Sequence, residues 1–375
     1  MKKVVSIVLN NFLFDSRVLK ECHSLQSAGY QVSVVALHEG ELKEQDEVQG
    51  IPVHRIRLKT RNWGQNRFIQ LIKFIELFFR IIKDCRKADI IHCNDILPLP
   101  ISVICKYIFN RKAKIVYDAH ELEFDQGVST PLLGKMISLA EKMFIRHADR
   151  MMTVSALIAD AYVEEYGIDK PVVVMNCPKY TELEKSDYFR KKFGIKDHQT
   201  IALYQGGLSP HRGVEQLIEV FKDLPQDYAL VFLGFGILKD IVTNATQVHD
   251  NIFYHDPVPP DTLLQYTTAA DVGFLSISNT NRNHDLTIGN KIFQYIMAGL
   301  PVISFNLQAS KWVLNPKIGF VLEHNSNAEI LAALQAIKTK GLAAYQADLR
   351  AAAKEYCWEK QEVALLQLYR ELHEA

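Results

Sequence analysis

Two stretches in the second half of the sequence combine glycine with a basic side chain, a combination that suits a phosphate. In the first stretch, residues 204–213, Gly206 and Gly207 follow an apolar run, and Arg212 stands just before a predicted helix. Glycines let backbone N–H groups approach an anion, a helix N-terminus adds partial positive charge, and arginine adds a fixed cation. The pattern favours a phosphate site, and a tight strand-to-helix turn is the structural alternative.

The second stretch, residues 285–303, places a lysine where the helix dipole alone disfavours it. Asn290 and Lys291 stand in the first turn of a predicted helix, and Gln294 lies on the same helix face as Lys291. A cation in the first turn opposes the macrodipole, so a bound anion would explain its position. The stretch therefore predicts a second phosphate ligand, and a lysine that merely extends to solvent is the alternative.

Two weaker signals belong to the same predicted sheet edge. Gly236 ends a Gly-x-Gly pair after an apolar run, and Val258 lies in a proline-rich loop after another. Open α/β sheets bind ligands outside the carboxyl ends of their strands. Both positions are candidates for contact with a ligand, and a plain connecting loop is an equal alternative for Val258.

Four candidates lie in the first half of the chain, each after a predicted strand. Asp15 and Arg17 follow the first strand, where contact of both side chains with a substrate and capping of the next helix by Asp15 or Ser16 are equal alternatives. His120 and Glu121 follow a later strand immediately. The strand-end position favours a functional His120 over a histidine satisfied within its loop.

Short apolar runs alternate with helix-length periodic stretches along most of the chain, which predicts an α/β protein with two parallel sheets. We expect a first domain over residues 1–178, a linker over 179–198 and a second domain over 199–355. Residues 356–375 are expected to form a helix that crosses back to the first domain through an apolar stripe. The stripe is formed by Val363, Leu366 and Tyr369.

Composition limits the classes of partner and compartment. The 375 residues contain 43 basic and 43 acidic side chains, so no general affinity for nucleic acid is expected. The six cysteines are scattered without zinc-site spacing, which favours a reduced, cytoplasmic protein. No apolar run reaches the length of about 18 residues that a membrane-spanning helix needs.

One predicted helix, residues 66–86, is more apolar than a helix with a single buried face. Eleven of the fifteen residues from 68 to 82 are apolar, and seven basic residues against two acidic ones lie between residues 61 and 87. Such a helix suits peripheral contact with an anionic membrane surface, at the inner face of the membrane for a cytoplasmic protein. A core helix between a sheet and a neighbouring helix is an equal alternative.

The order of these motifs resembles the retaining glycosyltransferases of family 4 and their GT-B relatives. The resemblance rests on the Gly-Gly-Leu loop with Arg212 before a glycine, the Gly-x-Gly pair, and the run Asn-Lys-x-Phe-x-Tyr-x-x-Ala-Gly-Leu-Pro-Val from Asn290. It implies a GT-B fold, with two Rossmann-like domains that face a central cleft and a C-terminal helix that returns to the first domain. It implies that Arg212 and Lys291 hold a donor diphosphate.

The same resemblance assigns the other candidates. The loop glycines and the backbone around Val258 would hold the nucleotide, and His120 would face acceptor and sugar. Family members commonly have two glutamates eight positions apart on one helix, whereas this chain has Leu286 and Gln294 there. Gln294 can still hydrogen-bond a ribose, and the neighbouring Asp285 can replace the missing acid.

The expected activity is transfer of a sugar from a nucleotide diphosphate to a saccharide or lipid-linked acceptor in polysaccharide or glycolipid synthesis. A UDP-sugar is favoured over a GDP-sugar, no cofactor is expected, and retention follows only from the resemblance. No Asp-x-Asp motif offers a metal site, so His120, Arg212 and Lys291 are the candidate catalytic residues. A nucleotide-sugar epimerase and a catalytically silent nucleotide-sugar-binding subunit are the alternatives.

Overall fold

The computed structural model describes residues 1–64, 66–125 and 131–374. These residues form two compact units: one of residues 1–175 with the segment that begins at residue 362, and one of residues 176–361. Each unit is built on a mainly parallel sheet with helices, which confirms the predicted α/β class. The predicted domain borders at residues 178, 198 and 355 stay predictions.

The first unit contains an eight-stranded sheet within the described ranges. Its strands are β1 (Lys3–Ile7), β2 (Gln31–Leu37), β3 (Gln45–Val48), β4 (Ile51–Ile56), β5 (Ile90–Asn94), β6 (Lys114–Ala119), β7 (Arg150–Thr153) and β8 (Val172–Val173). They pair in the order β3-β4-β2-β1-β5-β6-β7-β8, and only the β3–β4 pair is antiparallel. The strand order reverses direction between β1 and β5, so their carboxyl ends form the crevice where open sheets bind ligands.

Three of the described helices of this unit begin after a side chain that accepts a hydrogen bond from one of their first N–H groups. The helices of the unit are α1 (Ser16–Ser27), α2 (Arg67–Cys85), α3 (Pro98–Ile108), α4 (Pro131–Phe144) and α5 (Ala156–Tyr166). Asp15 accepts a hydrogen bond from the Val18 N–H, and Ser155 accepts one from the Ile158 N–H. These caps fix where the chain turns from strand end to helix, which is where the candidate residues lie.

The second unit contains a six-stranded sheet in the part of the chain that is described. Its strands are β9 (Thr200–Gly207), β10 (Tyr228–Phe235), β11 (Ile252–His255), β12 (Val272–Leu275), β13 (Val302–Ser304) and β14 (Gly319–Val321). They pair in the order β11-β10-β9-β12-β13-β14, and all pairs are parallel. Here the order reverses between β9 and β12.

Short helices connect these strands, and longer ones complete the unit. They are α6 (Tyr188–Phe193), α7 (Val214–Phe221), α8 (Lys239–Val248), α9 (Leu263–Thr267), α10 (Arg282–Leu286), α11 (Asn290–Met297), α12 (Gln308–Val313), α13 (Asn327–Lys340) and α14 (Gln346–Glu355). The last helix, α15 (Trp358–Glu374), begins in this unit, and its residues from 362 onward belong to the first. The predicted start of a helix at Asn290 is confirmed.

The part of α15 that belongs to the first unit buries a different stripe from the predicted one. Val363 is 64% exposed, so its assignment to the buried face was wrong. The buried side chains of α15 recur three or four residues apart, as on one helix face, and are Leu365, Leu368, Tyr369 and Leu372. Tyr369 alone is shared by the predicted and the observed stripe.

Helix α2 keeps part of its apolar surface on the outside of the first unit. Its inward face is buried at Leu77, Ile81, Ile82 and Cys85, whereas its outward face exposes Phe68, Leu71, Ile75 and Phe79. We call these last four residues the apolar face of α2. Among the described helices, none has both the length and the apolarity that crossing a bilayer requires.

Candidate active site

The loop that carries Arg212 is fixed to the neighbouring strand end. It runs from the end of β9 to α7, and Ser276, just after β12, donates a hydrogen bond of 2.7 Å to the Arg212 carbonyl oxygen. Gly213 has a φ of +72°, and a Cβ there would lie 2.5 Å from the Ser276 carbonyl oxygen. Glycine is therefore required, and Arg212 is held at the point where the strand order of this sheet reverses.

Lys291 lies beside this loop, on the first turn of α11. A Cβ on Gly206, whose φ is +112°, would lie 2.6 Å from the Lys291 Cε atom, so the lysine stem fills the space that glycine leaves. The ammonium Nζ is 4.6 Å from the centroid of the Tyr204 ring. A cation–π contact thus positions the ammonium without neutralising it.

The charges of Lys291 and Arg212 are not balanced by acidic side chains. Neither side chain makes an ion pair or hydrogen bond with any other residue that the structure describes. Burial, followed by the nearby Arg212 charge, lowers the pKa of Lys291 to about 7. Two neighbouring basic side chains without a counter-charge among the described residues suit an anion with more than one negative charge.

Gln294 is held by a chain of polar side chains behind the site. The buried Gln205 donates from its amide to the Gln294 Oε1 atom at 2.7 Å, and accepts from the Thr267 hydroxyl at 2.8 Å. This arrangement uses the Gln294 oxygen and leaves its amide nitrogen as a donor. Asn290, in the first turn of α11, is exposed.

The remaining predicted residues of the second unit differ in their surroundings. Gly207 and Gly236 are exposed at the ends of β9 and β10, and Val258 is half-buried in the loop after β11. Gly236 has a φ of +149°, and a Cβ there would collide with the Leu208 carbonyl oxygen. Gly236 thus lets the ends of β9 and β10 approach closely at the same edge as Arg212.

Asp285 is engaged in a contact that the sequence did not indicate. Its two carboxylate oxygens accept hydrogen bonds from the backbone and side-chain nitrogens of Gln308, at 2.8 and 2.7 Å. The adjacent Leu286 is buried. Asp285 thus fixes the start of α12, and both of its oxygens are already occupied.

In the first unit, Asp15 and Arg17 have structural partners. Asp15 caps α1 and accepts from the Asn10 side chain at 2.8 Å. Arg17 is only 4% exposed, and its guanidinium donates to both carboxylate oxygens of Asp118 and to the Val174 carbonyl oxygen. The direct contact with an acceptor predicted for Arg17 does not fit this burial, because its donors are used inside the unit.

His120 lies at the carboxyl end of β6 with one side at the surface. Its Nε2 atom is 2.9 Å from Asp118 Oδ2, and its Nδ1 atom is 3.4 Å from Asp95 Oδ1. Burial lowers the pKa of His120, but the two carboxylates outweigh it and raise that pKa to about 9. His120 therefore carries a positive charge at neutral pH, whereas Glu121, the next residue, is exposed.

Behind His120 lies a buried group of ionisable side chains that sequence reasoning missed. One carboxylate oxygen each of Glu21 and Asp118 and a ring nitrogen of His92 lie within 4.8 Å of one another. The Arg17 guanidinium lies 3.0 Å from Glu21 and 2.9 Å from Asp118, so the two carboxylates already share a cation. The strand alternation Asp118-Ala-His120 was the available signal, since residues two apart on a strand share a face.

Comparison with known proteins gives two family matches in succession. A model described as "Glycosyl transferase 4-like domain" matches residues 15–178, and one described as "Glycosyl transferases group 1" matches residues 185–356. The chain is 24% identical over 231 residues to the O-antigen biosynthesis glycosyltransferase WclY of Escherichia coli. The aligned region covers 59% of this chain and 62% of the relative. The chain thus spans about three fifths of the length of that curated relative.

The fold resembles solved structures over the whole chain. Sucrose-phosphate synthase of Thermosynechococcus elongatus gives a TM-score of 0.81 at 16% identity, covering 100% of this chain and 99% of that one. Anabaena HepE, solved in complex with UDP-glucose, gives a TM-score of 0.76 at 16% identity and covers 100% of both chains. At this level of identity the likeness establishes the shared fold.

Proposed function

Because this chain belongs to the group 1 glycosyltransferases with the GT-B fold, we propose that it transfers a sugar from a nucleotide diphosphate to a saccharide or lipid-linked acceptor. The observation that carries the proposal is the pair Arg212 and Lys291, two cations without acidic partners among the described residues. A diphosphate supplies the two negative charges that such a pair accommodates.

The pair also accounts for the chemistry of the leaving group. Breaking the bond between the sugar and the diphosphate concentrates negative charge on the departing diphosphate, and fixed cations stabilise that charge as it grows. In this proposal Arg212 and Lys291 do so without a metal ion. Retention of configuration is proposed from the family resemblance alone, with the diphosphate accepting the proton of the acceptor hydroxyl.

The nucleotide would be held by the residues around this pair. The backbone near Gly206, Gly207, Gly236 and Val258 would contact it, and the amide nitrogens of Gln294 and Asn290 would donate to a ribose. A UDP-sugar is the favoured donor, supported by the UDP-glucose complex of Anabaena HepE. On the first unit, His120 with Asp15 and Glu121 would serve the sugar and the acceptor.

The test is donor binding and turnover in matched variants. We expect a UDP-sugar to raise the melting temperature of the protein equally with and without EDTA. Arg212→Ala and Lys291→Ala should each lower kcat by on the order of 10²- to 10³-fold, the usual loss when one charge-stabilising donor is removed. Lys317→Ala is the control, because Lys317 is an exposed lysine of the same unit.

Three results would change the assignment. Turnover at the wild-type level in Arg212→Ala with saturating donor would contradict the proposed site. A new sugar nucleotide formed from donor alone would identify an epimerase. Tight donor binding without transfer to any acceptor would indicate a binding subunit.

We also propose peripheral contact with the inner face of the membrane through the apolar face of α2, during polysaccharide or glycolipid synthesis. Its four apolar side chains are 45% to 71% exposed, and basic residues outnumber acidic ones around them. An exposed apolar stripe with basic neighbours suits an anionic lipid surface. Phe68→Ser with Phe79→Ser should reduce co-sedimentation with vesicles that contain phosphatidylglycerol, and unchanged co-sedimentation would contradict the contact.

A further inference from the structure

We propose that Asp118 is a positioning residue for His120 and that Arg17 holds Asp118 in turn. The inference deepens the proposed function, in which His120 serves the sugar and the acceptor, and rests on it for that role. The positioning roles of Asp118 and Arg17 are assigned neither by the family matches nor by the sequence motifs.

The first step is the rigidity of Asp118. Arg17 donates from Nε to Asp118 Oδ2 at 3.0 Å and from Nη2 to Oδ1 at 2.9 Å, which is a two-point contact between planar groups. A third donor, Nη1, bonds the Val174 carbonyl oxygen at 2.7 Å. Asp118 is fully buried. A carboxylate held at both oxygens by a planar fork cannot rotate without breaking two charged hydrogen bonds.

The second step is the orientation of the imidazole. Asp118 Oδ2 accepts from His120 Nε2 at 2.9 Å, whereas the other ring nitrogen, Nδ1, lies 3.4 Å from Asp95 Oδ1. Asp118 is fully buried, but the side chain of Asp95 is 51% exposed. The Nε2 side of the ring therefore faces the interior and the Nδ1 side faces the partly open side. Nδ1 makes the longer contact, with the half-exposed Asp95, and is therefore the nitrogen on the side that a ligand can approach.

The third step is the charge of the ring. The groups that act on His120 are Asp118 on its own strand, Asp95 after β5 and Arg17 on α1. The two carboxylates outweigh burial and the Arg17 charge, so the pKa of His120 rises to about 9. Burial raises the pKa of Asp118, but Arg17 and His120 outweigh it and hold that pKa well below its usual range. An imidazolium next to a fixed carboxylate is a donor at both nitrogens and not a general base at neutral pH.

Two further ionisable groups lie near Asp118 and His120, and they do not change the positive charge assigned to His120. Glu21, on α1, and His92, on β5, both lie near Asp118, with His92 Nε2 3.9 Å from Asp118 Oδ2. Burial raises the pKa of Glu21 to about 7, against the opposing charge of Arg17. Glu21 shares the Arg17 guanidinium with Asp118, at 3.0 Å, whereas the hydrogen bond of 2.9 Å to His120 is made by Asp118.

The experiment follows the His120 ring directly in the full-length protein without donor. Ring ¹⁵N signals of histidine are recorded across the titration range and assigned with His120→Gln. We expect the wild-type ring to titrate near pH 9, the value to which its pKa is raised. Asp118→Asn should move that titration toward the ordinary value of about 6.5, and Asp95→Asn should move it less. Both variants make the same chemical change on opposite sides of the ring.

Activity gives the second readout, which separates positioning from a general loss of structure. Asp118→Asn should lower kcat on the order of 10²-fold, the usual effect of a misplaced group, while the KM for donor stays near the wild-type value. The fall of activity at alkaline pH should move to lower pH in the same variant. A folded Asp118→Asn protein with an unchanged His120 titration would overturn the proposal.

The proposal can also fail without any variant. A wild-type His120 that titrates near 6.5 would overturn it even if Asp118→Asn does not fold. Because the titration is measured in the absence of donor, its result does not depend on transferase activity. A His120 ring that titrates near 9 in a protein without transferase activity would support the positioning of His120 by Asp118 and contradict only the proposed function.

Discussion

Lys291 combines burial with a charge that no described carboxylate balances. Burial and the Arg212 charge lower the pKa of Lys291 to about 7, so the free protein loses this charge as the pH rises through neutrality. A diphosphate bound beside the ammonium favours the charged form and raises the pKa again. Binding of donor above pH 7 must therefore take up a proton, and its affinity depends on pH.

We predict that the Kd for UDP-glucose is constant below pH 7 and rises about tenfold for each pH unit above it. UDP-glucose is the suitable probe because both of its phosphates are esterified and keep their charge through this range. Calorimetry in buffers of different ionisation enthalpy measures the proton uptake. Lys291→Met should bind weakly and show no such dependence, whereas a constant Kd for the wild type up to pH 9 would contradict the prediction.

Contacts between side chains close together in the sequence could be predicted, and contacts between residues far apart in the sequence could not. The period of a strand already places Asp118 on the same face as His120. By contrast, the hydrogen bonds of Asp285 to Gln308 join residues 23 positions apart, and no local pattern indicates them. Arg17 likewise contacts Asp118, which lies 101 positions away, and this contact buries a side chain that was expected to contact a substrate.

The loop between β9 and α7 depends on glycine for two separate reasons at Gly213. Its φ is +72°, and a Cβ there would also lie 2.5 Å from Ser276. We predict that Gly213→Ala lowers the free energy of unfolding by about 2 to 4 kcal/mol, because a strained φ and an overpacked contact each cost about 1 to 3 kcal/mol. Arg212 would move with the loop, so donor affinity should fall as well.

Gly194 provides the matched control for this change. It has a similar φ of +69°, its ψ of 23° is close to the 14° of Gly213, and a Cβ there would meet no atom within 4 Å. Gly194→Ala therefore reports the cost of backbone strain alone. Urea unfolding of both variants, with donor binding measured alongside, separates the two effects. Equal losses in the two variants, with normal donor affinity in Gly213→Ala, would show that contact with Ser276 does not hold the loop.

Regular elements were predictable where the chain buries a continuous apolar run. The apolar run at residues 272–275 predicts a strand that coincides with β12, and the apolar runs at residues 4–9 and 90–93 locate β1 and β5 within two residues. β3 was not predicted, because Gln45–Val48 has no buried residue and forms only by antiparallel pairing with β4 at the sheet edge. Its cause lies in its partner strand and not in its own sequence pattern.

The last helix shows how the end of the chain contributes to the core of the first unit. The Tyr369 hydroxyl is 2.8 Å from His92 Nδ1, and its ring packs edge-on against Tyr30 with the centroids 5.4 Å apart. Glu362 accepts a hydrogen bond from the Ser24 hydroxyl at 2.7 Å. These contacts join a C-terminal segment to residues that lie between 277 and 339 positions earlier in the chain.

We predict that Tyr369→Phe destabilises the first unit by about 1 to 3 kcal/mol. The variant keeps the ring against Tyr30 but leaves His92 Nδ1 buried without a partner, and His92 Nε2 already has no hydrogen bond within the described residues. Val363→Ala, on the same helix but 64% exposed, should change stability by less than about 0.5 kcal/mol. Hydrogen exchange of the β1 and β5 amides measures both variants in this unit alone. Protection in Tyr369→Phe equal to that in Val363→Ala would mean that the helix contributes through its apolar face and not through the Tyr369–His92 contact.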